Sequence, residues 1–190
     1  TGDLTHPLKR SKSINGGGFI STDYRKKLAI DIGGGAALNP LYQGYGYHWR
    51  ISPRWRINDN ISLRYVLSIK NKYNNIGFSS CPVEINPDSI VEPPIGEFAK
   101  RNTNMITNVL SANYIVNNKM DLSIKLRYHM DQVKNLEFKS LGNDGYLNER
   151  ESFKECNPYS GEHNIREHNI NYTTWTSDIA FNWWFAPGSQ

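Results

Sequence analysis

The stretch Leu122-Ser123-Ile124-Lys125-Leu126-Arg127-Tyr128-His129-Met130-Asp131 decides the fold class. Its even positions are apolar and its odd positions polar. A helix would mix the two sets around its circumference. Only a strand, whose successive side chains point to opposite faces, keeps them apart. The spacing therefore predicts a strand with one greasy face and one wet face.

The same separation recurs along the chain. Tyr45, Tyr47, Trp49, Ile51, Trp55 and Ile57 share one parity, against Gly44, Gly46, His48, Arg50, Ser52, Arg54 and Arg56. Pro53 falls on the apolar parity and lacks a ladder donor, so a bulge or kink is expected there. Ile61, Leu63, Tyr65, Leu67 and Ile69 oppose Ser62, Arg64, Val66, Ser68 and Lys70. Leu28, Ile30, Ile32, Ala36 and Leu38 oppose Ala29, Asp31, Gly33 and Gly35, and Trp175, Ile179, Phe181, Trp183 and Phe185 oppose Thr176, Asp178, Ala180 and Asn182. Two runs are weaker. One covers 106–116 and carries a polar Asn108 on its apolar parity; the other is the Gly-rich run 13–21. Together these make seven strands. Short turns are expected at 22–26, 58–60 and 117–119, and at Ala186-Pro187-Gly188-Ser189. Longer connections are expected over 39–44, 72–104 and 134–171.

Composition narrows the class. The chain of 190 residues has 22 basic and 18 acidic side chains, a net charge of +4, and 12% aromatic content. No run of about 18 apolar residues exists, which excludes a helical membrane protein. Aromatic and β-branched residues are too abundant for a disordered chain. The charge is mild and its longest basic run is Arg25-Lys26-Lys27, so no nucleic-acid partner is expected. The opening Thr1-Gly2-Asp3-Leu4 carries no leader pattern, which leaves the compartment open.

The apolar parity has two possible neighbours. In a soluble sandwich or small barrel it packs on a protein core. In a membrane barrel it meets lipid and the polar parity lines a watery interior. Three features favour lipid. The polar parity is cationic rather than evenly mixed. Aromatic residues gather near strand ends, as in interfacial girdles. Ten residues at about 3.3 Å each, tilted about 40°, span roughly 25 Å, the height of a barrel's apolar band. The expected fold class is therefore all-β, an antiparallel transmembrane β-barrel segment. Seven strands do not close a bacterial barrel, so residues 1–190 are expected to be a partial outer-membrane barrel domain with strands missing at both ends.

Several stretches carry a family resemblance: 16–27 (Gly16-Gly17-Gly18-Phe19 onward), Ile51-Ser52-Pro53-Arg54, Ile61-Ser62-Leu63-Arg64-Tyr65 and, most specifically, Trp184-Phe185-Ala186-Pro187-Gly188-Ser189-Gln190. The chain resembles the C-terminal outer-membrane β-barrel domains of bacterial surface proteins that carry an N-terminal domain similar to carbohydrate-binding module family nine. The resemblance implies a bacterial outer-membrane location, a link to surface carbohydrate binding or uptake, and a closing strand pair beyond these residues.

Catalytic chemistry is not expected. There is no Gly-x-Ser-x-Gly element, and the triple glycines at Gly16 and Gly33 lack the strand–turn–helix setting of a phosphate loop. His163 and His168, beside Glu162 and Glu167, have no further ligand pattern for a metal. No cofactor is expected. The candidate site residues are the lumen-facing Arg50, Arg54, Arg56, Arg64, Lys125, Arg127 and Asp178, which would bias the interior toward anions. Asp31 and Asp131 share that parity and would balance its charge. Cys81 and Cys156 could pair in an oxidising compartment or remain two thiols. Expected partners are the lipid bilayer and lipopolysaccharide, other outer-membrane proteins and glycans. Three rival roles stay open: an accessory or scaffold subunit of an outer-membrane complex, the membrane anchor of a glycan-active enzyme, and a soluble β-domain.

Overall fold

The computed structural model describes residues 8–78, 97–142, 144–149 and 169–185. It is all-β. The strands are β1 (Ile14–Ser21), β2 (Leu28–Asn39), β3 (Gly44–Arg56), β4 (Ile61–Phe78), β5 (Glu97–Asn117), β6 (Met120–Leu141), β7 (Leu147–Glu149) and β8 (Ile170–Trp183). All pair antiparallel in one open sheet ordered β1 to β7, with β8 alongside the first part of β6. Such a sheet suits a segment of a barrel. Among the described residues no helix is long and apolar enough to cross a membrane; one 3₁₀ turn, Pro40–Tyr42, joins β2 to β3.

Seven of the eight strands fall where alternation predicts them. The eighth, β7, lies within the expected connection 134–171 and pairs Lys139, Ser140 and Leu141 with Glu149, Asn148 and Leu147. The larger departure is in length. β4, β5 and β6 run 18, 21 and 22 residues, well into the stretches 72–104 and 134–171 expected to be loop. Cross-strand pairing continues there although the strict alternation of apolar and polar residues has broken down.

At Pro53 no bulge forms. Ile51 pairs with Leu67 and Arg54 with Arg64, which keeps one register on either side. The rungs at Ser52 and Pro53 toward β4 are missing, because proline has no N–H to give. Proline pairs instead with Ile30 of β2. True register shifts lie between Lys72 and Asn75 of β4 and, on β5, between Lys100 and Arg101 and between Ile115 and Asn117. The first surrounds Asn74, whose φ is +52°, a conformation asparagine tolerates better than most residues.

Register decides how the faces add up. Directly paired residues lie on the same side of a sheet. One row reads Ile20–Ile32–Ile51–Leu67–Asn108–Tyr128–Trp175 across the strands. Another runs Leu28–Trp55–Leu63–Ala112–Ile124–Ile179. The apolar parities of the strands therefore merge into one continuous face.

That face is the exposed one. Leu28, Ile32, Trp55, Leu110, Leu126, Trp175, Ile179 and Phe181 are all exposed, and among the described residues no large side chain is fully buried. Ile124 is partly exposed. The few buried residues Ala29, Ser52, Val133 and Asn135 lie on the opposite, polar face, where Arg50, Arg56, Lys125 and Asp178 are exposed. A soluble domain would bury the apolar face.

Candidate interior face and its cations

The polar face collects the sequence-predicted cations. Arg54 pairs in register with Arg64, Arg64 with Ser111, Ser111 with Lys125 and Lys125 with Asp178. One row across β3, β4, β5, β6 and β8 thus holds Arg54, Arg64, Lys125 and Asp178. Arg127 lies on the next row with Thr176, and Arg50 on the row after with Ser68. Arg56 pairs with Ser62 at the turn end.

Two arginines directly opposite each other repel, so each needs another partner. The Arg64 Nε donates to Ser52 Oγ at 3.2 Å. The Arg54 guanidinium lies 5.0 Å from the Tyr24 ring centre, a cation–π distance. The Tyr24 hydroxyl and Ser21 Oγ both donate to Asp31 Oδ1, and Asp31 is the register partner of Ser52. Turn residue Tyr24 therefore links one carboxylate to one guanidinium. Short, flexible reach explains the turn itself: Asp23 accepts from the Arg25 backbone N–H at 2.9 Å and from its guanidinium at 3.0 Å.

The other cations stay unneutralised. Among the described residues no carboxylate comes within 4.0 Å of Arg50, Arg56, Lys125 or Arg127, nor does Lys125 close an ion pair with Asp178. Asp131 also sits on this face, and its buried Oδ1 has no hydrogen-bond partner among the described residues. Chemically, this is a wall of positive charge backed by Ser, Thr and Gly.

A second cation group extends the wall toward the long-loop end. His48 pairs with Lys70 and Gly46 with Lys72. A cavity of about 470 Å³ is lined there by Asn15, Gly17, Ala37, Gly46, His48, Lys70 and Lys72 among others. Glycines make room for these side chains. A Cβ at Gly35 would lie 3.0 Å from His48 Cε1, and one at Gly46 would lie 3.3 Å from Lys72 Cγ. Lys72, beyond the last apolar row, is held below the usual lysine range by burial and then by the charges of Lys70 and Arg101. His48 and Lys70 share the arginine parity in the sequence. Lys72 follows from extending that parity by one step past the expected strand end.

Cys81, Cys156, His163 and His168 lie outside the described residues. Among the described residues no group of three or more His, Cys, Asp or Glu side chains is placed to hold a metal ion.

Residues 4–190 match the family described as "Domain of unknown function (DUF5916)", and the chain belongs to that family. No curated protein and no solved structure matches the chain.

Proposed function

We propose that this DUF5916 member is a non-enzymatic segment of a bacterial outer-membrane β-barrel, linked to the binding or uptake of surface carbohydrate. The observation that carries the reading is the separation of the two faces: a nearly continuous apolar face left open on one side of the sheet, and the cations gathered on the other. In water, apolar area costs roughly 25 cal/mol for each Å² left wet, so a large exposed apolar face marks a surface made to meet another apolar phase. Against acyl chains the cost vanishes.

The dimensions fit the same solvent. The apolar rows run over 61–69, 106–114, 122–130 and 175–183. Nine residues at about 3.3 Å, tilted about 40°, give roughly 23 Å, close to the apolar band of such barrels. Rings border the band at both ends. Tyr45 and Tyr73 stack at 4.8 Å above it, and Trp55, Tyr114 and Trp183 lie toward the short turns. The cations of the polar face would then face the lumen and favour anions.

The test is conductance. The full-length protein, purified in detergent and reconstituted in planar bilayers, is expected to pass anions preferentially. Arg50→Glu with Arg54→Glu should shift that preference toward cations. Cation preference unaffected by the substitutions would contradict the anion bias.

A second reading has its own support. β4, β5 and β6 project beyond the apolar band and carry an ion-pair cluster in which Lys139 meets Glu137 at 3.4 Å and Glu149 at 3.8 Å, with Lys100 at 3.7 Å from Glu137. A wall of this kind suits a docking subunit of an outer-membrane complex. Recovery of the protein alone after mild-detergent purification would count against it.

A further inference from the structure

The apolar face ends on an abrupt change of chemistry. Its next row, toward the long-loop end, reads Asn71–Asn104–Gln132–Asn171 across β4, β5, β6 and β8. One step beyond, Asn102 pairs with Lys134. At this level β4, β5 and β6 switch from Ile69, Ile106 and Met130 to amides and β8 from Thr173 to Asn171, while β3 places Tyr47 on the row. A cavity of about 330 Å³ opens over these two rows, lined by the six amides of Asn71, Asn102, Asn104, Gln132, Asn169 and Asn171, together with Tyr73 and Lys134. No acidic side chain lines it.

We infer that this amide belt is a docking site for the sugar-phosphate headgroup of an outer-leaflet glycolipid of the lipopolysaccharide class. The inference rests on the barrel reading and adds a site to its outward face. Position supplies the first reason. A molecule held here would have its acyl chains lying along the apolar rows directly below, on the same face. Chemistry supplies the second. Each amide offers a carbonyl acceptor and an N–H₂ donor, the pair that ring hydroxyls satisfy, and Lys134 supplies a cation for a phosphate. Readiness supplies the third. Asn102 Oδ1 accepts from the Asn74 N–H at 3.1 Å and Asn169 Oδ1 from the Asn135 N–H at 2.9 Å, which orients both side chains and leaves their N–H₂ donors without a partner among the described residues. The side chains of Asn71, Asn104, Gln132 and Asn171 make no hydrogen bond among the described residues. A phospholipid headgroup could use Lys134 but has too few hydroxyls to occupy the amides.

The test compares lipids on the full-length protein in detergent. Native mass spectrometry and thermal unfolding would be followed with lipopolysaccharide, with its dephosphorylated form, and with phosphatidylethanolamine–phosphatidylglycerol mixtures. Lipopolysaccharide is expected to remain bound and to raise the unfolding temperature more than phospholipid does. The dephosphorylated form should bind more weakly than the intact one and no longer respond to Lys134→Ala. Asn104→Ala with Gln132→Ala should weaken lipopolysaccharide binding about tenfold while leaving insertion into phospholipid vesicles unchanged. Normal insertion with no preference over phospholipid, or with full binding by the double variant, would overturn the site and spare the barrel reading. Failure to insert into any bilayer would overturn both.

Discussion

The Tyr65 hydroxyl donates to the Asn108 side-chain oxygen, across β4 and β5, in the middle of the apolar face. Asn108 breaks the apolar parity of β5. Its register partner is Leu67, and Tyr65 is the neighbour one row away. An amide facing acyl chains is costly unless paired, because lipid offers it no substitute for water. Tyr65 provides a partner while its ring stays part of the apolar surface.

Tyr65→Phe removes that donor and strands the Asn108 amide. In the full-length protein folded in lipid vesicles, denaturant titration should show a loss of about 1–3 kcal/mol. Asn108→Ala should cost less, and adding Tyr65→Phe to it should cost almost nothing more. Equal losses in both backgrounds would mean the bond carries no weight.

Charge on the outward face should be penalised by depth. Leu126 lies on the Tyr65–Leu110 row at mid-band, while Gln132 lies on the amide row beyond it. Leu126→Arg should cost about 2–4 kcal/mol and Gln132→Arg about 0–1 kcal/mol. The same unfolding titrations measure both. Similar costs at the two positions would contradict a lipid band that ends between them.

The glycines of β1 and β2 are not equivalent. A Cβ at Gly35 would lie 2.7 Å from the Gly16 carbonyl oxygen on the neighbouring strand, whereas one at Gly16 or Gly18 would meet nothing within 4 Å. Gly35→Ala should therefore push β1 away from β2 and cost about 1–3 kcal/mol, while Gly18→Ala is tolerated. Urea midpoints of the two variants decide the matter.

Asp23 in the first turn is held below the usual carboxylate range, first by the Arg25 side chain and then by the Arg25 backbone N–H. A depressed acid contributes stability above its unfolded pKa and loses it as pH falls through the folded value. The contribution is thus complete at neutral pH and disappears only in acid, below about pH 4. Carboxyl NMR of the protein in micelles should find Asp23 titrating below a free aspartate, and Arg25→Gln should raise it toward that value.

Much of the sheet is legible in the sequence because alternation is local. Residues 122–130 declare a strand without reference to any other part of the chain, and so does 61–69. Alternation fails as a guide once apolar residues become sparse and irregularly spaced, which is why Lys72–Phe78, and the matching ends of β5 and β6, read as loop yet continue the ladder. Pro53 illustrates a different limit. Its missing donor is visible in the sequence, but whether the strand bulges or omits a rung depends on β4 opposite it. The arginines of the polar face follow from parity. The amide belt does not, since Asn71, Asn104, Gln132 and Asn171 meet only through register.

The central claim is that the apolar parity touches acyl chains while the polar parity meets water. Single spin labels at successive positions from 122 to 131 of the membrane-reconstituted protein test it most directly. Collision rates with oxygen should peak at Leu122, Ile124, Leu126, Tyr128 and Met130, and those with a water-soluble nickel chelate at Ser123, Lys125, Arg127 and His129. Even positions shielded from both reagents, as in a dry protein core, would contradict it.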